Sequence, residues 1–221
     1  MVFLSFLAFI CLLPLAFSAP GQLFERLGAP SELDRRAGTF FSNWREGGGN
    51  FQCNNLGGGT YTTNWSGQGG FVCGLGYNPG GNRVIRYNGT YTPTGPGYLA
   101  LYGWTRNPLI EYYVIESYDV LAPGEPWTLK GNFTFEEGTY VLYTSTRVNK
   151  PSIEGTRTFQ QYWSVRTEKR VGGTISAQKH FDAWRSVGLN FGYHDYQILA
   201  TEGFTNGAQV SSGSSRISVD V

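Results

Sequence analysis

Two glutamates lie in segments that alternate like β-strands, and each shares a strand face with tyrosines. Glu111 lies in PLIEYYVIE and Glu202 in DYQILATEGF. Because strand side chains alternate between faces, Glu111 shares its face with Tyr113, and Glu202 shares its face with Tyr196. Glycoside hydrolysis requires two carboxyl groups across a sugar-binding cleft, and tyrosines supply stacking faces and hydroxyl groups. The pattern is compatible with such a site, although alternation alone favours a solvated strand face.

The elements that must position these side chains are almost all strands. Period-two segments, bounded by glycine-rich turns, predict strands at 61–65, 84–87, 90–92, 98–104, 108–120, 139–147, 155–167, 195–204 and 215–221. Asn88-Gly89 and Asn206-Gly207 are typical of tight turns, the first of them a hairpin. Residues 176–188 instead show helical spacing, with Ser176 as cap and Gly188 as stop. We therefore expect an all-β sandwich or jelly roll with one short helix outside it.

The composition supports this fold class and excludes several partners. Of the 221 residues, 15% are charged and 16% aromatic, and 31 are glycine, which disfavours long helices. The formal net charge is +1, so no strong field is available to collect nucleic acid or an anionic membrane. A charge-poor chain rich in tyrosine and tryptophan indicates a neutral, hydroxylated ligand, although any one ring is more simply a core residue.

The first 36 residues are expected to be removed. Residues 1–18 form a hydrophobic run that ends in Ala-Phe-Ser, which is typical of a secretory signal peptide. Residues 19–36 are polar and end in Arg35-Arg36, which indicates a pro-peptide, with a flexible linker as the alternative. The mature catalytic domain would span 37–221 and be extracellular.

Secretion permits covalent features that a cytosolic chain would lack. Cys53 and Cys73 are the two cysteines left after processing, and an oxidising compartment allows them to form a disulfide. Sequons at Asn64, Asn88 and Asn132 are candidate glycosylation sites.

Several long segments carry a resemblance to a known family. NPLIEYYVIE, RVNKPSIEGTRTFQQYWSVR and HDYQILATEGF are similar to the most specific motifs of the glycoside hydrolase family 11 endo-β-1,4-xylanases. NWSGQGGFVCGLGYNPG and YLALYGW match two further motifs, so the resemblance runs from about residue 39 to residue 221. It implies a β-jelly roll of two twisted antiparallel sheets whose inner sheet curls into a cleft, and it places Cys53 and Cys73 on neighbouring strands.

The resemblance also implies roles for individual residues. Glu111 would be the nucleophile and Glu202 the general acid/base, with Arg147 close to Glu111 and helping to keep it ionised. Residues 147–159 would form the family's thumb, which carries Pro151 near its tip. The further residues expected to bind substrate are Trp44, Tyr98, Tyr102, Tyr113, Gln161 and Tyr196.

Three positions depart from the family pattern. Gly70 stands where the family has Asn or Asp, a residue that the resemblance links to near-neutral or acid activity respectively. Tyr77 stands in place of a tryptophan, and Phe204 in place of a tyrosine. A glycine has no side chain that could form a hydrogen bond to the acid/base, so we expect a mildly acidic to neutral pH optimum.

The resulting hypothesis is a secreted, monomeric, retaining endo-1,4-β-xylanase that cleaves xylan. It would need no cofactor and no metal, since His180 and His194 lack the spacing of a zinc pair. Two alternatives remain: a catalytically inert sugar-binding sandwich, and a protein that plants recognise independently of hydrolysis.

Overall fold

The computed structural model describes residues 38–121 and 125–221, which form two β-sheets and one short helix. The predicted signal peptide and pro-peptide lie outside the described residues. The strands are β1 (Gly38–Glu46), β2 (Asn50–Gly57), β3 (Thr60–Gly67), β4 (Gly70–Asn78), β5 (Val84–Thr94), β6 (Gly97–Arg106), β7 (Ile110–Tyr118), β8 (Thr128–Phe135), β9 (Gly138–Ser152), β10 (Gly155–Arg166), β11 (Gly173–Ser176), β12 (Tyr193–Phe204) and β13 (Ser211–Val219). The helix α1 (Ala177–Ser186) lies between β11 and β12.

The larger sheet has eight strands in the order β1-β4-β12-β6-β7-β10-β9-β8, and the smaller has five in the order β11-β5-β13-β3-β2. This confirms the predicted all-β architecture with one helix. One pairing differs from the expected antiparallel sheets, because β10 runs parallel to β7. The chain leaves β7 for the sheet edge at β8, turns back through β9, and returns beside β7 in the same direction.

Two buried clusters divide the side chains of the larger sheet between its faces. Tyr112, Val114 and Leu199 belong to a core that also contains residues of the smaller sheet and of α1. Tyr113 and Ala200 belong to a second cluster built from the larger sheet alone. The alternation predicted from sequence therefore holds in β7 and β12, and it puts the two glutamates on the face that is turned away from the core.

The predicted hairpin at Asn88-Gly89 is wrong. Strand β5 continues through both residues and pairs with β13, with Gly89 opposite Ile217. A Cβ atom at Gly89 would lie 2.0 Å from the carbonyl oxygen of Arg216, and its φ is 149°. This glycine therefore allows two strands to approach closely, which is the other common reason for a glycine within a strand.

The helix and the disulfide agree with the predictions. Helix α1 begins after Ser176 and buries Phe181 and Trp184 against the core. A disulfide joins Cys53 on β2 to Cys73 on β4, and so links the smaller sheet to the larger. Within the described residues, no helix is long and apolar enough to cross a membrane.

Candidate active site

A cleft of about 610 Å³ lies on the open face of the larger sheet. The structure brings together in it all ten residues that the sequence proposed for catalysis or substrate binding. They are Trp44, Tyr98, Tyr102, Glu111, Tyr113, Arg147, Pro151, Gln161, Tyr196 and Glu202.

Glu111 is held by three neutral hydrogen-bond donors. Its side chain is buried, and its Oε1 accepts hydrogen bonds from the hydroxyls of Tyr102 at 2.7 Å and Tyr113 at 3.1 Å. Its Oε2 accepts a hydrogen bond from Gln161 Nε2 at 2.6 Å. The sheet register sets this geometry, since Gln161 lies directly opposite Glu111, and Tyr102 lies opposite Tyr113. The carboxylate is therefore fixed in direction without a cation bound to it.

A chain of donors fixes Gln161 from behind. Trp163 Nε1 donates to Ser145 Oγ at 2.9 Å, and Ser145 Oγ donates to Gln161 Oε1 at 2.9 Å. The Gln161 amide must then present its nitrogen to Glu111, because its oxygen is already engaged by Ser145. Gln161 lines the cleft, and its contacts also orient Glu111, a role that the sequence did not indicate.

A shorter chain fixes Tyr102 in the same way. Trp104 Nε1 donates to the Tyr102 hydroxyl at 2.6 Å, so that the hydroxyl proton is directed to Glu111. Both chains begin at an indole N–H, which can only donate. Sequence reasoning missed Ser145, Trp163 and Trp104 as parts of the site, although Trp104 shares the parity of Tyr102 in YLALYGW.

Glu202 lies on β12 directly opposite Tyr98 of β6, and it is partly exposed to the cleft. Burial raises its pKa to about 8, and the negative charge of Glu111 adds to the increase, while Tyr113 and Arg147 oppose it. Glu202 therefore keeps a proton near neutral pH, as a general acid must.

Burial also raises the pKa of Glu111 above its usual value, and its surroundings offset only part of the increase. The hydrogen bonds from Tyr102, Gln161 and Tyr113 lower the pKa, in that order, and the charge of Arg147 contributes least. Arg147 thus acts in the expected direction, but its guanidinium pairs with Glu125 at 3.7 Å rather than with Glu111. Neutral donors, more than the cation, favour the ionised form of Glu111.

The aromatic side chains divide into exposed and supporting rings. Trp44 is 43% exposed at the cleft wall and can stack on a sugar. Tyr113 stacks on Trp163, with ring centroids 4.2 Å apart, and Tyr98 meets both rings edge-on. Tyr98 is only 1% exposed, so it supports the floor of the cleft more than it contacts solvent. Tyr196 lies against the ring of Phe40, at 4.8 Å between centroids.

The predicted thumb is a β-hairpin, which we call the thumb hairpin (residues 147–159). It is formed by the ends of β9 and β10, with a register shift between Arg157 and Phe159. Its tip crosses β7 and meets Arg106 on β6, whose guanidinium binds Glu154 at 3.0 Å and Asp195 at 2.7 Å. The hairpin therefore forms a roof over part of the cleft, and surface ion pairs hold it there.

The three departures from the family pattern lie in different places. Gly70 lines the cleft opposite Phe204, one pair along from Glu202 on the same face. Phe204 also lines the cleft and packs on Tyr98, at 5.3 Å between centroids. Tyr77 is outside the cleft lining; Arg83 covers its ring, and its hydroxyl donates to the Asp220 carbonyl. Only the first two departures can affect substrate directly.

Glu116, the second glutamate on β7, faces the core. It is fully buried and accepts hydrogen bonds from the hydroxyls of Tyr87 and Tyr140, and from Arg170 Nε. None of these three partners lines the cleft, so Glu116 has a structural role within the core.

The remaining candidates have structural surroundings. His180 is buried beside Ser164, and burial lowers its pKa to about 3. Burial also lowers the pKa of His194, to about 4. Among residues 38–121 and 125–221, no three potential metal-ligating side chains cluster. The sequon residues Asn64, Asn88 and Asn132 are all exposed.

Comparisons with known proteins agree on one family. The model of glycosyl hydrolases family 11 matches residues 36–217. Endo-1,4-beta-xylanase 2 of Humicola insolens is 53% identical over 182 residues, which cover 82% of this chain and 78% of that protein. Ethylene-inducing xylanase 1 of Botryotinia fuckeliana is 48% identical over 198 residues, covering 90% of this chain and 69% of that protein. A solved structure from a comparison of two endo-1,4-beta-xylanases of Trichoderma reesei has a TM-score of 0.74 at 39% identity, covering 82% of this chain and 98% of that one.

Proposed function

This chain belongs to glycosyl hydrolases family 11, and we infer that it is a retaining endo-1,4-β-xylanase in which Glu111 and Glu202 carry the chemistry. Its relatives in Humicola insolens bear the name endo-1,4-beta-xylanase. The observation that carries the assignment of roles is the contrast within the cleft. One carboxylate is fixed by three neutral donors, whereas the other has a pKa raised to about 8.

In the first step, Glu111 attacks the anomeric carbon of a xylose while Glu202 gives its proton to the departing glycosidic oxygen. A covalent glycosyl-enzyme forms at Glu111, and the C–O bond to the departing sugar breaks. The two donor chains prevent Glu111 from rotating away from the attacking direction. The hydroxyl of Tyr113 links the two glutamates, because it lowers the pKa of both.

In the second step, Glu202 is ionised and removes a proton from a water molecule, which attacks the same carbon. Glu111 is then released, and the configuration at the anomeric carbon is retained. We expect the two carboxyl groups to lie about 5–5.5 Å apart, as double displacement requires. Loss of the negative charge of Glu111 on glycosylation lowers the pKa of Glu202, which suits its change from acid to base.

Substrate binding rests on the exposed part of the cleft. Trp44 offers a stacking face at one wall, while Tyr196 and Pro151 contribute surface at other points. Arg147 lies close enough to act on the pKa of both glutamates, and its pairing with Glu125 keeps it oriented. A neutral polymer of xylose fits these surroundings, because rings and hydroxyls dominate the lining.

Product analysis tests the proposal. We expect new reducing ends from xylan and none from cellulose, with the β-anomer formed first in a proton NMR time course. Glu202→Gln should retain much more activity on aryl xylosides with good leaving groups than on xylan, because such groups need little protonation. Equal losses on both substrates would contradict the role of Glu202. Formation of the α-anomer first would contradict retention.

The remaining features of the hypothesis concern the protein outside its cleft. We propose that residues 1–18 and 19–36 are removed during secretion, and that the mature chain is a monomer. Secretion is supported by the disulfide, which an oxidising compartment favours, and by a polymeric substrate that cannot enter a cell. N-terminal sequencing of the secreted protein, with light scattering for its mass, tests both points. Removal of glycans by an endoglycosidase tests Asn64, Asn88 and Asn132.

One comparison favours a second role. The relative from Botryotinia fuckeliana is named an ethylene-inducing xylanase and covers 90% of this chain. A response of plant tissue that does not depend on hydrolysis would survive Glu111→Gln. Ethylene release from leaves treated with this variant measures it, and release only by the active enzyme would contradict the second role.

A further inference from the structure

The cleft contains one cation that the fold leaves without a partner. Lys150 lies on the thumb hairpin, is partly buried, and lines the cleft beside Pro151. Within the described part of the chain, its ammonium group has neither a hydrogen bond nor an ion pair, whereas Arg147 in the same lining has Glu125.

The hairpin itself gives Lys150 no structural reason to be charged. Its cross-strand partner is Arg157, and like charges directly opposite each other destabilise a strand pair. Arg157 forms an ion pair with Glu154 at 3.9 Å, and Glu154 also forms an ion pair with Arg106. The carboxylate of the hairpin is thus fully engaged, and Lys150 remains the unmatched cation.

The other charges in the cleft are distributed unevenly. Glu111 and Glu202 serve the chemistry, which leaves Glu46 as the only other acidic residue in the lining. In the sheet register Glu46 lies opposite Gly70, which in turn lies opposite Phe204, so Glu46 is at one end of the cleft. The tip of the hairpin meets Arg106, which is at the other end of the sheet strands. An acidic group on the substrate would therefore be attracted near the hairpin and repelled near Glu46.

We propose that Lys150 binds the carboxylate of an acidic sugar substituent on the xylan chain as that chain lies under the thumb hairpin. The proposal rests on the xylanase function proposed above, and names the decoration that the site accepts. A hydrogen bond from an ammonium group to a carboxylate is charge-assisted and about twice as strong as a hydrogen bond between neutral groups, and the carboxylate adds the attraction of its opposite charge. A partly exposed pair of this kind changes affinity only a few-fold, so it selects among xylans without trapping them.

The test compares one polymer in two charge states. Glucuronoxylan is assayed before and after chemical reduction of its carboxyl groups to alcohols, at low ionic strength. The wild type should show a kcat/KM about threefold higher on the acidic polymer, through a lower KM. Lys150→Gln should abolish this preference, and Lys150→Arg should retain it. Molar salt should also abolish it in the wild type, because the Debye length is then about 3 Å.

Lys130→Gln is the matched control, because Lys130 is an exposed lysine on β8 outside the cleft lining. It should leave the preference unchanged. Equal losses on both polymers in Lys150→Gln would show that Lys150 binds hydroxyl groups, and would overturn the proposal. An unchanged preference in that variant would also overturn it. Failure of the wild type to cleave either polymer would instead contradict the proposed function.

Discussion

Strand β7 carries two buried glutamates on opposite faces, and their surroundings differ in kind. Glu111 faces the cleft, where its partners are two tyrosine hydroxyls and an amide. Glu116 faces the core, where its partners are two tyrosine hydroxyls and the guanidinium of Arg170. The number of hydrogen bonds is the same, and the difference is the cation. A charge in direct contact with a cation is stable and unreactive, whereas a charge stabilised mainly by dipoles remains available to an electrophile.

Exchange of the carboxylate for an amide should separate the two glutamates most clearly in activity. Glu111→Gln should lower kcat on xylan by at least about 10⁴-fold, because no nucleophile remains. Glu116→Gln, as the matched control on the same strand, should keep kcat per folded molecule within about twofold. Steady-state assays on protein of verified circular dichroism measure both. A comparable loss in the two variants would break the comparison.

Stability should show the reverse ranking. Glu116→Gln leaves Arg170 facing the core without its carboxylate, and we expect the free energy of unfolding to fall by about 3 kcal/mol. Glu111→Gln removes a partly uncompensated charge and should change stability little, or increase it. Urea denaturation at pH 6 measures both values. Equal stabilities would show that the core ion pair contributes nothing to the fold.

The raised pKa of Glu202 predicts a dependence of stability on pH. The folded protein holds this proton up to about pH 8, whereas an unfolded glutamate releases it near 4.3. Between these values the folded state binds more protons, so stability should fall as pH rises, by at most about 1.4 kcal/mol per pH unit, and level off above about pH 8.

The matched variants for this slope are Glu202→Gln and Glu116→Gln. The first should remove most of the decrease in unfolding free energy between pH 5 and 8, and leave only the smaller contribution of Glu111. The second should leave the slope in place, although the protein is less stable throughout. A slope that survives in Glu202→Gln would show that the proton belongs to another group.

Substitution of Gly70 by aspartate would place a third carboxyl group near the two glutamates of the cleft. A Cβ atom there would lie 3.6 Å from Phe204 Cβ and 3.7 Å from the Gly203 carbonyl oxygen, which is ordinary van der Waals contact, so the backbone leaves room for a side chain. Gly70→Asp should move the pH optimum toward acid by about one unit, because the active arrangement must then hold one more proton. Gly70→Asn is the control without charge. Superimposable profiles for the wild type and the aspartate variant would contradict this.

Local alternation was enough to group Glu111 with Tyr113 and Glu202 with Tyr196, because strand parity depends only on the chain itself. The assignment of the two glutamates as a catalytic pair came from the family resemblance, since alternation alone fits a solvated strand face equally well. The donor chain through Ser145 could not be found in this way, since it depends on the register between β9 and β10. The parallel pairing of β10 with β7 is likewise a property of the sheet order.

Glycine was the least informative signal in the sequence. Gly89 follows an asparagine and resembles a hairpin turn, but it is required where β13 passes close to β5. Gly207 also follows an asparagine and does lie in a turn, between the bridged residues Asn206 and Gln209. The two cases have the same local pattern, and only a distant strand distinguishes them.

The ion pairs at the tip of the thumb hairpin have a consequence for how a long polymer reaches the catalytic groups. A bond in the middle of a chain has no free end nearby to thread under a roof, so the chain must enter sideways. Arg106 is bound by Asp195 on β12 and holds the tip through Glu154 alone, and its side chain is 41% exposed, so water and ions can replace the contact with Glu154 at small cost. Opening of the hairpin would therefore cost little at its tip, and a polymer that enters from the side could then be cleaved at an internal bond.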